Sequence, residues 1–206
     1  MRRYKSKIKK SLELSKNATI ENKLTYVAQH LSFWFEKHVN FEDRIIRLTG
    51  EIDEEKYNLV DSAMTEFERR GRSAVTVRIN SEGGCTYQAM AIVGRLTSSK
   101  CDIITEGYGA IMSAATLILA CGKETKRRIS KYSWFMWHEA SYEYSGRVSE
   151  HDAQLKQVKK EESFWCENMA KITKKPIKFW KENGVGIDTY YTPEQLVALG
   201  VADEII

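Results

Sequence analysis

The chain has 206 residues, 42% of them hydrophobic and 29% charged, with a formal net charge of +4. This suffices for one globular domain with a real core, and no run approaches the ~18 apolar residues that a membrane-spanning helix needs. Arg2, Arg3, Lys5, Lys7, Lys9 and Lys10 crowd the start without an acid, and such an arm reads as a solvated terminus before it reads as a nucleic-acid surface.

In chain order, residues 1–18 are polar and basic. Over 19–38, Ile20, Leu24, Val27, Leu31, Trp34 and Phe35 recur at three- and four-residue steps, which predicts an amphipathic helix. Residues 1–40 are therefore expected to form an arm and an added N-terminal helix, and 41–206 the main domain. Arg44 to Leu48 predicts a strand, and Asp53 caps a helix that Gly71 closes. Ala74 to Ile79 predicts a second strand, followed by a glycine turn at 80–84 and a helix from about Tyr87 to Leu96. Cys101 to Thr105 predicts a third strand, then a turn over 107–113 and a buried helix from Ala114 to Cys121. Short strands are expected at Lys126 to Ser130 and Trp134 to Trp137. A long charged helix is expected at about 148–172, and a short one from Pro176 to Trp180. Thr192-Pro193 starts a last helix, stopped by Gly200. The strand–helix alternation implies an α/β fold of βαβ units around a mostly parallel sheet. In such sheets ligands sit beyond the carboxyl ends of the strands, where both glycine turns fall.

Neither the cysteines nor the histidines have metal-ligand spacing, so no metal and no cofactor is expected. Cys85, Cys101, Cys121 and Cys166 read as reduced, mostly buried thiols of a cytoplasmic protein. The N-terminus has no apolar signal core.

The chemistry gathers in G-Y-G-A-I-M-S-A-A-T-L-I-L-A-C-G, residues 107–122. Ser113 lies between two apolar blocks, at a turn where its hydroxyl meets the unsatisfied N–H groups of a helix start. It is either a helix-capping serine or a nucleophile. A nucleophilic serine needs a base, an orienter for that base and oxyanion donors. His138 closes the apolar strand W-F-M-W, and Asp188 follows a glycine loop. Gly83-Gly84 offers backbone N–H groups unobstructed by side chains.

From about Phe41 to Ile206 the chain resembles the proteolytic subunit of the Clp protease family. The resemblance rests on I-N-S-E-G-G (79–84), G-A-I-M-S (109–113), the strand ending at His138, and D-T-Y-Y-T-P-E (188–194) followed by L-G-V-A-D. It implies the repeated βαβ core of the Clp protease and crotonase type, with the 148–172 helix protruding. It implies serine endopeptidase activity, with Ser113 as nucleophile, His138 as base and Asp188 as orienter. Gly84 and Ala114 would form the oxyanion hole, and Gly83, Cys85, Thr86 and Met112 would line the substrate cleft. A peptide or unfolded protein is the expected substrate. The expected assembly is a homo-oligomer of stacked rings, with Phe164 and Trp165 at interfaces.

The chain departs from the family pattern in carrying Glu82 where proline is usual. Thr76 and Arg78 stand where members that dock an AAA+ unfoldase carry aromatics, which puts such a partner in doubt. Two other readings remain open: a crotonase-like acyl-CoA enzyme, and a non-enzymatic assembly or scaffold protein on the same fold.

Overall fold

The computed structural model describes residues 37–206. The basic arm and nearly all of the helix expected over 19–38 lie outside the described residues. The sheet begins with β1 (Val39–Asn40), just ahead of the boundary expected at 41, and continues in β2 (Ile45–Thr49). There follow α1 (Glu54–Arg70), β3 (Val75–Ser81), α2 (Thr86–Thr97), β4 (Ile103–Met112), α3 (Ala115–Ala120) and β5 (Arg127–Ile129). The second half holds β6 (Trp134–Trp137), α4 (Val148–Thr173), α5 (Ile177–Glu182), β7 (Thr189–Tyr191), α6 (Pro193–Leu199) and β8 (Glu204–Ile205).

Local chemistry accounts for the helix ends. The Asp53 carboxylate accepts from the Lys56 N–H at 2.9 Å, and Arg69 and Arg70 occupy the last turn of α1, where cations suit the helix dipole. One stripe of α1 (Leu59, Val60, Ala63, Met64 and Phe67) is buried. Thr192 and Gln195 close a reciprocal capping box at α6, and Gly200 ends that helix in the left-handed conformation.

Strands β2, β3, β4 and β5 are parallel and lie in sequence order, with β8 parallel beyond β5 and β1 antiparallel outside β2. Successive right-handed crossovers in one direction put the connecting helices on one face. Accordingly α1 packs on α2 and α2 on α3. Beneath them Ile46, Leu48, Val75, Val77 and Ile79 are fully buried. The other face is not the apolar surface usual for a parallel sheet. Arg47, Arg78, Glu106, Arg128 and Glu204 stand in register across five strands. Arg78 Nε lies 2.8 Å from Glu106, and Arg128 bridges Glu106 at 3.4 Å and Glu204 at 3.3 Å.

Two expectations need correction. Gly107 and Gly109 do not end the third strand. β4 runs on to Met112, and its pairing with β3 passes from Ile79–Gly107 to Ser81–Ile111. The two surplus residues on β4 make a bulge, with Gly109 at φ +65° and the Asn80 side chain accepting from the Ala110 N–H at 3.0 Å. Glycine marks bulges as readily as turns. Trp165 is not an interface residue of the long helix: it is buried in the subunit's own core, whereas Phe164 is half exposed. Of the cysteines, Cys101 and Cys166 are buried, Cys121 is half-buried and Cys85 is exposed.

Candidate active site

The bulge in β4 positions the site. Before it β4 pairs with β5; after it β4 pairs with β6, parallel, through Ala110–Trp134, Ile111–Phe135 and Met112–Met136. Ser113 and His138 therefore leave the carboxyl ends of adjacent parallel strands. β7 then pairs with β6 antiparallel, with Trp137 opposite Thr189. In that register the residue after Trp137 faces the residue before Thr189, which places Asp188 beside His138. Three sequence-distant side chains thus meet at one end of three neighbouring strands.

Ser113 has φ +50°, a left-handed conformation that a non-glycine residue adopts at a cost of about 1–3 kcal/mol. Its N–H is held by Met136 O at 3.0 Å, which ties it to the histidine-bearing strand. Its Oγ lies 2.6 Å from His138 Nε2. His138 Nδ1 lies 3.6 Å from Asp188 Oδ1, an ion-pair distance rather than a hydrogen bond, and the Asp188 side chain is 55% exposed.

The glycine turn is held against this serine. Ile52 donates to Gly83 O at 2.7 Å and accepts from the Cys85 N–H at 2.8 Å. In such a parallel bridge Gly84 turns its own N–H away from Ile52. A Cβ on Gly84, at φ +141°, would lie 2.5 Å from Ile52 O; one on Gly83, at φ +107°, would lie 2.7 Å from Ser113 Cβ. Glu82 does not open the turn, because Ser81 Oγ accepts from the Gly83 N–H at 3.1 Å.

A cavity of about 310 Å³ opens at this point, bordered by Gly84, Ser113, Ala114 and His138. A hydroxyl bonded to an imidazole, beside backbone N–H groups at a helix start and a glycine turn, is an arrangement suited to acyl transfer. The family comparison agrees. The model for the Clp protease family matches residues 35–206.

The chain belongs to the Clp protease family.

One curated relative is the ATP-dependent Clp protease proteolytic subunit 1 of Bifidobacterium longum (strain NCC 2705). It is 27% identical over 168 residues, which cover 81% of this chain and 72% of the relative. Of the cleft residues expected from the family resemblance, Thr86 borders the cavity together with Gly84, Ser113, Ala114 and His138. Gly83 lies behind the serine, Met112 is half-buried opposite Met136, and Cys85 is exposed; none of these three borders that cavity.

Sequence reasoning did not assign to this wall Tyr87 from α2, Trp137 from β6, Glu161, Glu162 and Trp165 from α4, or Trp180 from α5. Alternation along β6 carried part of the signal, since Phe135 and Trp137 are buried while Met136 and His138 are half-buried. The remainder depends on how α4 and α5 fold back. Trp137 Nε1 donates to Trp180 O at 2.9 Å, and the two indoles meet edge to face at 4.9 Å. Among the described residues no group of acids, histidines or cysteines is arranged to hold a metal ion, and no helix is long and apolar enough to cross a membrane.

Proposed function

We propose that this Clp protease family member is a serine endopeptidase. The observation that carries the reading is the 2.6 Å contact between Ser113 Oγ and His138 Nε2 at a strained serine beside Gly84 and Ala114. In this reading Ser113 Oγ attacks a peptide carbonyl while His138 takes its proton. The N–H groups of Gly84 and Ala114 hold the oxyanion, each worth about 3–4 kcal/mol in the transition state. Collapse expels the amine, which receives the proton from His138, and water repeats the sequence to free the acyl group. Asp188 orients the imidazole, and its separation of 3.6 Å leaves that contact to tighten in the working state.

The working state is proposed to be a homo-oligomer of stacked rings enclosing a chamber. The support is α4: its first half is largely exposed, with Val148 at 91%, as expected of an element that finds its partner in another copy. Unfolded protein would be the substrate. An unfoldase partner gains no support from Arg78, which the bond to Glu106 already engages.

A fluorophosphonate probe should label one serine, and peptide turnover should vanish in Ser113→Ala. Undiminished label or turnover in that variant would refute the assignment. Turnover that depends on Ser113 would in turn eliminate the scaffold reading, which draws on the exposed Asp188.

A further inference from the structure

We propose that the cavity beside Ser113 selects substrates with lysine or arginine at the residue whose carbonyl is attacked. This rests on the peptidase reading and assigns that site a substrate class. The cavity is defined by the nucleophile and its base, which border it, and not by its acids. In this proposal a carbonyl held at Gly84 and Ala114, which border the cavity, presents its own residue's side chain to this opening.

The wall has two chemistries at two depths. Its inner part is apolar, backed by the buried indoles of Trp137, Trp165 and Trp180. Its outer part is carboxylate: Glu161 and Glu162 are half-buried on α4, and Glu139 and Glu143 are exposed on the loop after β6. Against these four acids the wall has one cation, Lys181. Lysine and arginine combine an apolar stem with a cationic tip. A leucine would fill the inner part and leave the carboxylates unanswered; a glutamate would meet like charge.

Two of the acids are committed elsewhere. Glu161 accepts from Tyr87 Oη at 2.5 Å and Gln157 Nε2 at 2.7 Å, and Glu139 accepts from the Gly186 N–H at 3.0 Å. Glu143 and Glu162 have no hydrogen bond or ion pair among the described residues. Glu143 is exposed on its loop, whereas Glu162 is half-buried within the wall. Glu162 is therefore the carboxylate best placed to receive a substrate cation.

The test uses fluorogenic peptides identical except for Lys, Arg, Leu or Glu at the cleaved residue, with kcat/KM measured for the full chain and for Ser113→Ala. The expected result is cleavage that depends on Ser113, with Lys and Arg preferred over Leu by roughly tenfold or more and Glu last. Glu162→Gln should cut the Lys-to-Leu ratio several-fold, and so should added salt. Cleavage that depends on Ser113 but favours Leu, or a ratio unmoved by Glu162→Gln, overturns this inference and leaves the peptidase reading standing. Failure to cleave any of the four, with no probe label on Ser113, overturns the peptidase reading itself.

Discussion

Ser113 adopts a left-handed conformation at φ +50° that few serines adopt, and it does so where its Oγ meets His138. Strain of this kind persists only where surrounding contacts over-determine it. Here the N–H bond to Met136 O and the close approach of Gly83 supply those contacts. If the strain serves catalysis, releasing it should stabilise the fold. Ser113→Gly is expected to be inactive yet more stable than Ser113→Ala by about 1 kcal/mol, read as a higher midpoint in denaturant. Equal midpoints would show that the backbone is not strained. Asp188 presents the converse case, exposed and 3.6 Å from the imidazole. Asp188→Asn should lower kcat by far less than the ~10⁴-fold that follows when a buried, tightly bonded aspartate of this kind is changed. His138→Ala should cost much more than Asp188→Asn, and steady-state kinetics on the two variants decides the order.

The glycine turn and the C-terminal segment hold the site from opposite sides. A methyl on Gly84 would collide with Ile52 O and Ile52 N, both backbone atoms that cannot swing away. Gly84→Ala should therefore abolish turnover and lower the melting temperature by several degrees, since one or two kcal/mol is a large fraction of a domain's stability. An active, fully stable Gly84→Ala would contradict this geometry. On the other side, buried Arg127 donates to Asp203 through Nε at 2.9 Å and Nη2 at 2.6 Å, and to Gly200 O at 2.8 Å. It thereby pins the segment that follows α6 onto β5. Burial raises the Asp203 carboxyl, but the Arg127 bonds outweigh it and hold the group below the ordinary aspartate range. A depressed carboxylate adds stability that is complete above the unfolded-state value and is lost as pH falls through the folded one. Asp203→Asn should destabilise the protein at neutral pH by roughly 1–3 kcal/mol. The gap from the parent should close on acidification below the usual aspartate titration, as thermal melts across that range would record.

The 26-residue α4 spans about 39 Å at 1.5 Å per residue, and its two halves behave differently. The inner half carries Trp165, Cys166 and Met169 into the core, while the outer half is mostly exposed and Phe164 stands half-exposed where the two meet. A protruding amphipathic helix is a liability in a monomer and an asset in an assembly. Phe164→Asp is expected to shift the assembly to smaller species by native mass spectrometry and to lower turnover with it. An unchanged mass distribution would remove α4 from the proposed ring contact.

Much of this was legible in the residues alone, for physical reasons that differ from element to element. Caps and stops are local: Asp53, Thr192-Pro193 and Gly200 delimit α1 and α6 because each satisfies or terminates nearby backbone groups. The parallel βαβ order followed from period and alternation, and the spacing of Ser113, His138 and Asp188 pointed to one another through a family pattern. The bulge in β4 was not legible, because Gly107 and Gly109 are equally good turn residues and only the pairing with β3 chooses between the two. Nor was three-residue β7, which exists because β6 is there to pair with it. Sequence by itself determined which groups are available for chemistry and which helices form. Tertiary structure alone decided that α4 and α5 fold their indoles and carboxylates around the serine, because residues roughly fifty to seventy positions away become neighbours only when the chain closes on itself.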